Sequence, residues 1–307
     1  MTTPRTRIAY FGLPLGAVLL LHRGFDLVSI ALGHPDAIGA RRVHRRATGL
    51  VLDKPKLGDA AVVRRIAATK PDAILSWFWP QRIPPAVLAL APRGAFGVHP
   101  SLLPRHRGGD PYFHAILAGD AETGVTLHRL EAEYDTGAIV DALALPIRET
   151  ENAWQLARRL DRPSLRLLFR CAEALDRGEL LEGRPQDETR ATAADPPSEE
   201  ELLLDWDRDA PFLVRLVRAA APAPGAIAQL GDTLVAVLEA RAIASAPKVL
   251  EPGEAFFEGG LVHVRTGDGG ALRIDRVRVE ETEEAGVEAL VGQELRSAEI
   301  ARLVPRT

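Results

Sequence analysis

The amino-acid sequence predicts a two-domain α/β protein, with a mostly parallel sheet domain followed by a small β-barrel domain. Three observations lead to this prediction. Short apolar strands alternate with helical segments through the first part of the chain, which is typical of a parallel sheet covered by helices. A polar, proline-containing stretch without periodicity covers residues 184–201. The sequence after it is mostly short strand-like runs between turn residues, which favours a small barrel.

The run GVHPSLLPRHRGG at residues 97–109 begins in the fourth predicted strand and continues beyond its carboxyl end. Strands are predicted at residues 7–12, 26–32, 72–79 and 94–99, and helices at 16–24, 59–70 and 84–94. Ligands on such sheets bind beyond the carboxyl ends of the strands. Because the run leaves the fourth strand at such an end and mixes apolar with titratable side chains, we expect it to line a site.

The remaining elements place the domain boundaries. Beyond residue 100 we predict a helix at 111–119, strands at 123–131 and 137–147, a long helical stretch at 152–180 interrupted at Pro163, a helix at 212–220, and strands at 233–243 and within 259–279. Residues 1–183 are therefore expected to form the first domain, residues 184–201 a linker, and residues 202–307 the second domain.

Charge is spread unevenly along the 307 residues, whose formal net charge is −4. Residues 201–307 carry 12 Arg and Lys against 18 Asp and Glu, which argues against a nucleic-acid surface. The cluster Arg41, Arg42, Arg45 and Arg46 with His44 argues in the other direction. Contact of this cluster with tRNA or a phosphorylated acceptor and a merely solvated loop are both open readings.

The compartment is expected to be the cytoplasm. Cys171 is the only cysteine, so no internal disulfide can form, which fits a reducing environment. The first residues lead directly into a strand-like run, without the apolar stretch of a signal peptide. The longest apolar runs are too short to cross a bilayer, so we expect no membrane association.

A series of motifs follows in order between residues 99 and 137. They are His99, SLLP at 101–104, Arg107-Gly108, Gly119-Asp120, TGVT at 123–126 and Asp135-Thr136-Gly137. Together they resemble the signature of the folate-dependent formyltransferases. Residues 204–226 and the strands after them are similar to the C-terminal domain of methionyl-tRNA formyltransferases. The resemblance covers nearly the whole chain and implies a Rossmann-like domain followed by an OB-like barrel.

The resemblance also implies a reaction, the transfer of a formyl group from 10-formyltetrahydrofolate to a primary amine. The amine attacks the formyl carbon, a base accepts a proton from the attacking nitrogen, and the developing oxyanion must be stabilised. Carried over from the family, these roles fall to His99 and Asp135. Histidine suits such work because it titrates near neutrality, and a carboxylate can orient it.

The same resemblance gives a set of binding residues. Gln81, Arg82, Ile83 and Pro84 are expected beside the pterin, with Tyr134 and Asp135 closing its other side. The acceptor side is expected to include Leu13, Pro14, Gly97, His106 and Asp110. No metal is expected, because the spacing of His99, His106 and His114 matches no common zinc pattern.

Gly97 departs from the family pattern, which has an asparagine two positions before the histidine. Glycine has no amide to donate to the oxyanion. Three alternatives follow from this absence. Another group or a water replaces the donor, the reaction is a different one, or the protein binds folate without catalysis. We expect the space to be filled by Trp77 or Trp79, which at alternate positions would share one strand face.

Two kinds of acceptor remain open: a tRNA, or a small amine such as an amino sugar or modified amino acid. A folate-binding protein without transferase activity is the alternative to both.

Overall fold

A seven-stranded sheet organises the first of two units in the computed structural model, which describes residues 5–279 and 294–296. This unit comprises Met1–Pro111, Glu122–Pro146 and Arg159–Asp195. Its strand order is β3-β2-β1-β4-β5-β6-β7. The strands are β1 Arg7–Gly12, β2 Asp26–Leu32, β3 Val51–Asp53, β4 Ala73–Trp77, β5 Ala95–His99, β6 Glu122–Arg129 and β7 Ile139–Pro146.

The strand order places the site. Strands β1 to β5 are parallel to one another, whereas β6 and β7 are antiparallel additions beside β5. The connection order reverses between β1 and β4, and such a reversal opens a crevice at the carboxyl ends of the strands. His99 is the last residue of β5 and therefore lies at this edge.

The helices of the first half begin at recognisable signals. They are α1 Pro14–His22, α2 Ala40–Arg46, α3 Ala60–Ala68, α4 Pro85–Leu88, α5 Pro111–Leu117 and α6 Ala153–Asp176. Proline starts α1, and the Asp59 carboxylate caps α3 by accepting from the Ala61 N–H. A hydrophobic cluster that includes Phe11, Ile74 and Val87 packs helices α3 and α4 on one face of the sheet.

The second unit comprises Tyr112–Ala121, Ile147–Arg158 and Pro196–Thr307. Its later elements are α7 Glu199–Leu202, α8 Ala210–Ala220, β8 Ala226–Leu230, β9 Thr233–Ile243, β10 Ala255–Glu258, β11 Leu261–Arg265, β12 Ala271–Val279 and β13 Glu294–Arg296. Strands β10-β11-β12-β9-β8 form an antiparallel sheet, and β13 pairs with β12. The guanidinium groups of Arg215 and Arg218 on α8 donate to the carbonyls of Leu117 and Glu151, so α8 holds the two earlier segments.

The predicted fold class, a Rossmann-like sheet followed by an antiparallel β domain, is confirmed. The elements that were not expected include the three-residue strand β3 and helix α2. The basic cluster is therefore helical rather than a loop. Ala40, Val43 and Ala47 form its buried stripe, while the arginines point to solvent.

Pro163 does not interrupt α6, contrary to the prediction. The helix continues through it from Ala153 to Asp176. A stripe of buried leucines runs along α6 on both sides of the proline: Leu156, Leu160, Leu167, Leu168 and Leu175. Packing of this stripe offsets the lost backbone hydrogen bond.

No helix among residues 5–279 is long and apolar enough to cross a membrane.

Candidate active site

His99 and Asp135, the two predicted catalytic residues, lie in contact at the carboxyl edge of the sheet. His99 ends β5, and Asp135 lies in the turn between β6 and β7. The His99 Nδ1 atom is 3.3 Å from Asp135 Oδ2, and the two side chains are only 7% and 15% exposed. The backbone N–H of Gly108 donates to the same carboxylate oxygen, at 3.0 Å. The sequence thus identified a pair that the fold brings together.

The second ring nitrogen of His99 is also engaged. Its Nε2 atom is 2.7 Å from the carbonyl oxygen of His106. A carbonyl oxygen can only accept, so this nitrogen carries a proton. His106 adopts a left-handed backbone conformation, with φ of 57°. Of the residues predicted on the acceptor side, His106 therefore contacts His99 directly, through its backbone.

His128 is a third residue at this position, and it was not among the predicted site residues. It lies on β6 opposite Gly97, with Nε2 3.4 Å from Asp135 Oδ1 and Nδ1 2.8 Å from the Arg129 carbonyl oxygen. Burial lowers the pKa of His128 to about 4, an effect that the nearby Asp135 carboxylate only partly offsets. At neutral pH this imidazole is uncharged. A histidine within the apolar strand run TGVTLHRL was the signal that could have found it.

The backbone of Asp135 is held from a segment that was predicted to be a linker. Asp135 has φ of 56°, in the left-handed region. The side-chain amide of Gln186 donates to the carbonyl oxygens of Asp135 and Gly137, at 2.6 and 2.8 Å. Gln186 therefore fixes a turn that carries an unfavourable backbone conformation.

Arg107 joins this segment to the loop between β5 and α5, which carries the SLLP and Arg-Gly motifs. Its guanidinium donates to Gln186 Oε1 at 3.1 and 2.7 Å and to the Glu188 carboxylate at 2.8 and 2.7 Å. Its hydrogen bond with Glu188 raises the pKa of Arg107 above its ordinary value. Through these contacts Arg107 has a structural role, since it ties Gln186 and Glu188 to the loop that follows β5.

Backbone pairing completes the attachment of residues 184–195 to the first unit. The N–H of Arg107 donates to the Thr192 carbonyl, and the N–H of Ala194 donates to the Arg107 carbonyl. Asp110, predicted on the acceptor side, donates its backbone N–H to the Ala194 carbonyl at 2.8 Å. Polar composition without periodicity gave no sign of this pairing, because backbone hydrogen bonds need no side-chain pattern.

Gly97 faces neighbours that occupy the space of a side chain. A Cβ atom added there would lie 2.7 Å from Leu130 Cδ2 and 3.3 Å from His128 Nε2. The expectation that a tryptophan fills this space is wrong. Trp77 pairs in register with Val98, so the pleat directs it to the opposite face of the sheet from Gly97.

The two tryptophans do not share a face either. Phe78, between them, has φ of 53°, which ends the strand alternation after Trp77. Trp79 then packs against Phe11, with ring centroids 5.8 Å apart. Trp77 instead lies beside Gly16, whose added Cβ would be 3.0 Å from its ring.

The two loops predicted to bind folate contact each other. The Arg82 guanidinium is 2.7 Å from the Glu133 carboxylate and lies over the Tyr134 ring, 5.0 Å from its centroid. Gln81 and Arg82 are exposed, whereas the Ile83 side chain is buried in the hydrophobic cluster. Pro84 follows it and precedes α4. These loops offer backbone groups and two exposed side chains to a ligand.

The predicted acceptor turn, with Leu13 and Pro14, lies between β1 and α1. The Leu13 N–H donates to the Trp77 carbonyl, and the Tyr10 hydroxyl donates to the Leu13 carbonyl at 2.8 Å. A Cβ atom at Gly16 would lie 2.2 Å from the Tyr10 oxygen, so only glycine permits this close approach. The described contacts of this turn are with β1 and β4 rather than with His99 or Asp135.

Within the part of the chain that the structure describes, there is no group of three or more His, Cys, Asp or Glu side chains placed to hold a metal ion.

Known families account for most of the sequence. Residues 32–171 match the formyl transferase family, and residues 197–293 match the formyl transferase C-terminal domain. The methionyl-tRNA formyltransferase of Methylobacillus flagellatus is 34% identical over 288 residues, which cover 89% of this chain and 92% of that protein.

Two solved structures share the fold. HypX from Aquifex aeolicus in complex with tetrahydrofolic acid aligns with a TM-score of 0.63 and 22% identity, covering 97% of this chain and 47% of HypX. This chain thus spans about half the length of HypX. The sugar 3N-formyl transferase WlaRD, solved with dTDP and 5-N-formyl-THF, aligns with a TM-score of 0.64 and 13% identity, over 92% and 99% of the two chains. On the two sequence matches and the relative of nearly full length, the chain belongs to the formyl transferase family.

Proposed function

We propose that the protein transfers a formyl group from 10-formyltetrahydrofolate to a primary amine, as a methionyl-tRNA formyltransferase-like enzyme. The contact between His99 Nδ1 and Asp135 Oδ2, at the carboxyl edge of the sheet, carries this proposal. The two residues come from separate motifs of the family signature and meet in a largely buried position. Their meeting is the geometry that acid–base work on a bound substrate requires.

The chemistry assigns separate tasks to the site. The amine nitrogen attacks the formyl carbon, a C–N bond forms, and the carbonyl oxygen becomes negative. The bond from that carbon to N10 of the folate then breaks. Overall, one proton leaves the attacking nitrogen and one is added to N10.

His99 is the group suited to the oxyanion. Gly97 has no amide to donate, so the negative oxygen needs another N–H. The His99 Nε2 proton, which now bonds to the His106 carbonyl, is available for sharing with that oxygen. Asp135 keeps the ring in place through Nδ1.

Folate is assigned to the paired loops at residues 78–84 and 131–137. The exposed Arg82 and Tyr134 are stacked on each other and form one wall. Backbone groups of both loops supply the donors and acceptors that a pterin edge needs. The cofactor of the reaction is therefore a formylated folate, bound as a co-substrate.

The acceptor is proposed to carry phosphate, with methionyl-tRNA as the leading candidate. Helix α2 presents Arg41, Arg42, Arg45 and Arg46 to solvent. A Cβ atom added at Gly39, next to this helix, would lie 3.6 Å from the backbone of Pro14 and Leu15. The cationic helix therefore begins beside the acceptor turn. The acidic balance of residues 201–307 favours the second candidate, a small amine such as an amino sugar.

The test measures tetrahydrofolate release from 10-formyltetrahydrofolate with each acceptor at increasing salt. With a tRNA acceptor, replacement of the four α2 arginines by uncharged glutamine should raise KM and weaken the dependence of KM on salt. Arg64→Gln, an exposed arginine on α3, is the matched control. Salt-independent transfer to small amines would favour the second candidate. Folate binding without turnover on any acceptor would show a folate-binding protein instead.

A further inference from the structure

The Asp135 carboxylate lies between two imidazoles whose outer nitrogens are both fixed. His99 directs Nε2 at the His106 carbonyl, and His128 directs Nδ1 at the Arg129 carbonyl. Each of those nitrogens must carry its proton, since a carbonyl only accepts. A neutral histidine has one ring proton. Both histidines therefore turn a lone pair toward Asp135 unless they hold a second proton.

The surroundings of His128 keep its imidazole uncharged. His128 is 2% exposed. Three groups act on it: the Asp135 carboxylate in the β6–β7 turn, His99 at the end of β5, and Arg107 in the loop that follows β5. Burial, His99 and Arg107 disfavour charge on His128, and the Asp135 carboxylate and the hydrogen bond to the Arg129 carbonyl offset this only in part. His128 therefore stays neutral and keeps its Nε2 lone pair directed at Asp135.

This distribution leaves one proton position vacant. The His128 Nε2 lone pair and Asp135 Oδ1 are both acceptors and face each other at 3.4 Å. Such an arrangement is unfavourable until a proton lies between the two atoms. The array of His99, Asp135 and His128 can therefore take up one proton without losing any existing hydrogen bond.

We propose that the vacancy between Asp135 and His128 receives the proton that the attacking amine loses. The inference rests on the proposed formyl transfer. The amine nitrogen forms its bond to the formyl carbon and gives up one proton to the array. The array returns one proton to N10 as the bond from the formyl carbon to N10 breaks. His99 keeps its Nε2 proton throughout and is free to act on the oxyanion.

Gly97 is consistent with this division of labour. His128 Nε2 lies 3.3 Å from the position of the missing Cβ atom, so a larger residue there would press on the acceptor nitrogen. Because that nitrogen has no proton, His128 does not replace the lost amide donor. In the proposed reaction His128 accepts the amine proton, and His99 donates a hydrogen bond to the oxyanion.

The first test is His128→Gln, whose amide can donate to Asp135 but cannot accept a proton. The single-turnover rate of formyl transfer should fall by about 10²-fold or more, while affinity for 5-formyltetrahydrofolate is unchanged. His263→Gln is the matched control, since His263 is a buried histidine of the second unit whose Nδ1 also faces a carbonyl. It should keep the wild-type rate.

The pH profile separates a proton acceptor from a structural group. In the wild type, the rate should fall on acidification as the vacancy fills. In His128→Gln, the midpoint of that acid limb should move, because a different group then accepts the proton. A lower plateau with an unchanged midpoint, or a rate within threefold of the wild type, would overturn the proposal.

Nitrogen NMR of ¹⁵N-labelled histidines tests the proton assignment without any acceptor. The resonances absent from His128→Gln identify His128, which should remain neutral with its proton on Nδ1 from about pH 6 to pH 8. A proton on Nε2 in that range would overturn the proposal. If the assignment holds but no acceptor is formylated, the proposed function fails, not the proton count.

Discussion

Gly97 shows how a single residue can be recognised in the sequence while its surroundings are misjudged. The family motif drew attention to Gly97, because it stands two positions before His99, where the family pattern has an asparagine. Its neighbours were expected to be tryptophans on the adjacent strand, but they are Leu130 and His128. The pleat explains the difference, because Trp77 pairs with Val98 and therefore lies on the other face.

Gly97→Asn should lower stability without raising the transfer rate. The new Cβ would lie 2.7 Å from Leu130 Cδ2, so a partly buried side chain must move. Overpacking of this kind costs about 1–3 kcal/mol, measurable by urea denaturation. The double variant with Leu130→Ala should recover part of that loss. A faster enzyme of unchanged stability would contradict this expectation.

Asp135→Asn should strongly reduce formyl transfer while the protein stays folded. The substitution removes the negative charge that His99 Nδ1 and His128 Nε2 both face. His99→Ala should abolish transfer, since it removes the proposed oxyanion donor. Circular dichroism and 5-formyltetrahydrofolate calorimetry check the fold and the folate site. Wild-type rates in both variants would move the catalytic roles elsewhere.

The buried His128 should make stability depend on pH. Its pKa is about 4 in the folded protein and about 6.5 in an unfolded chain. The unfolded state therefore binds more protons between these values, so the free energy of unfolding falls as pH drops through this window, by about 3 kcal/mol at most. Above pH 6.5 this contribution is constant. We measure the free energy of unfolding of the wild type and His128→Gln by urea denaturation across this pH range. Its dependence on pH should differ between the two proteins only between about pH 4 and pH 6.5, and parallel curves would refute the prediction.

At the scale of elements, the strip at residues 184–195 matters more to the site than its composition indicated. It pairs with Arg107 through the backbone, and Gln186 holds the carbonyls of Asp135 and Gly137. Sequence reasoning finds helices and strands by side-chain periodicity. A strip that is held by backbone hydrogen bonds and one glutamine has no periodicity to find.

Gln186→Leu should lower the transfer rate through misplacement of Asp135. The change removes two donors to the turn and leaves the partly buried Arg107 without one acceptor. Hydrogen bonds to a charged group contribute about 1.5–3 kcal/mol. We expect kcat to fall more than KM rises, and Gln186→Asn, too short to span both partners, to behave similarly. Arg190→Gln, exposed on the same strip, should leave kcat unchanged; an equal loss there would point to general unfolding of the strip.

At the scale of the whole molecule, the strands of the main sheet were predictable because each long strand is a compact apolar run. The three-residue β3 has too few residues to show a pattern, and α2 is hidden by its charges. His99 and Asp135 were found because a motif marks them. Gln186 was missed because its role depends on tertiary contacts that no spacing records. His128 was missed although its place within the apolar strand run TGVTLHRL was a signal.

The second unit illustrates the same limit. Its composition indicated strands after residue 201, and these are present. It also includes Tyr112–Ala121 and Ile147–Arg158, which α8 holds through Arg215 and Arg218. Chain order alone gave no reason to assign these segments to it.

The attachment of residues 184–195 has a consequence for how this protein can be recombined with its relatives. A chimera joined at residue 183 would take Gln186 and Glu188 from the other parent, and Arg107 would meet foreign partners. A junction after Asp195 would leave Arg107, Gln186 and the Asp135 turn in their native combination. Exchange of the C-terminal part within the family should therefore succeed at the later junction and fail at the earlier one, although the earlier one is where the composition changes.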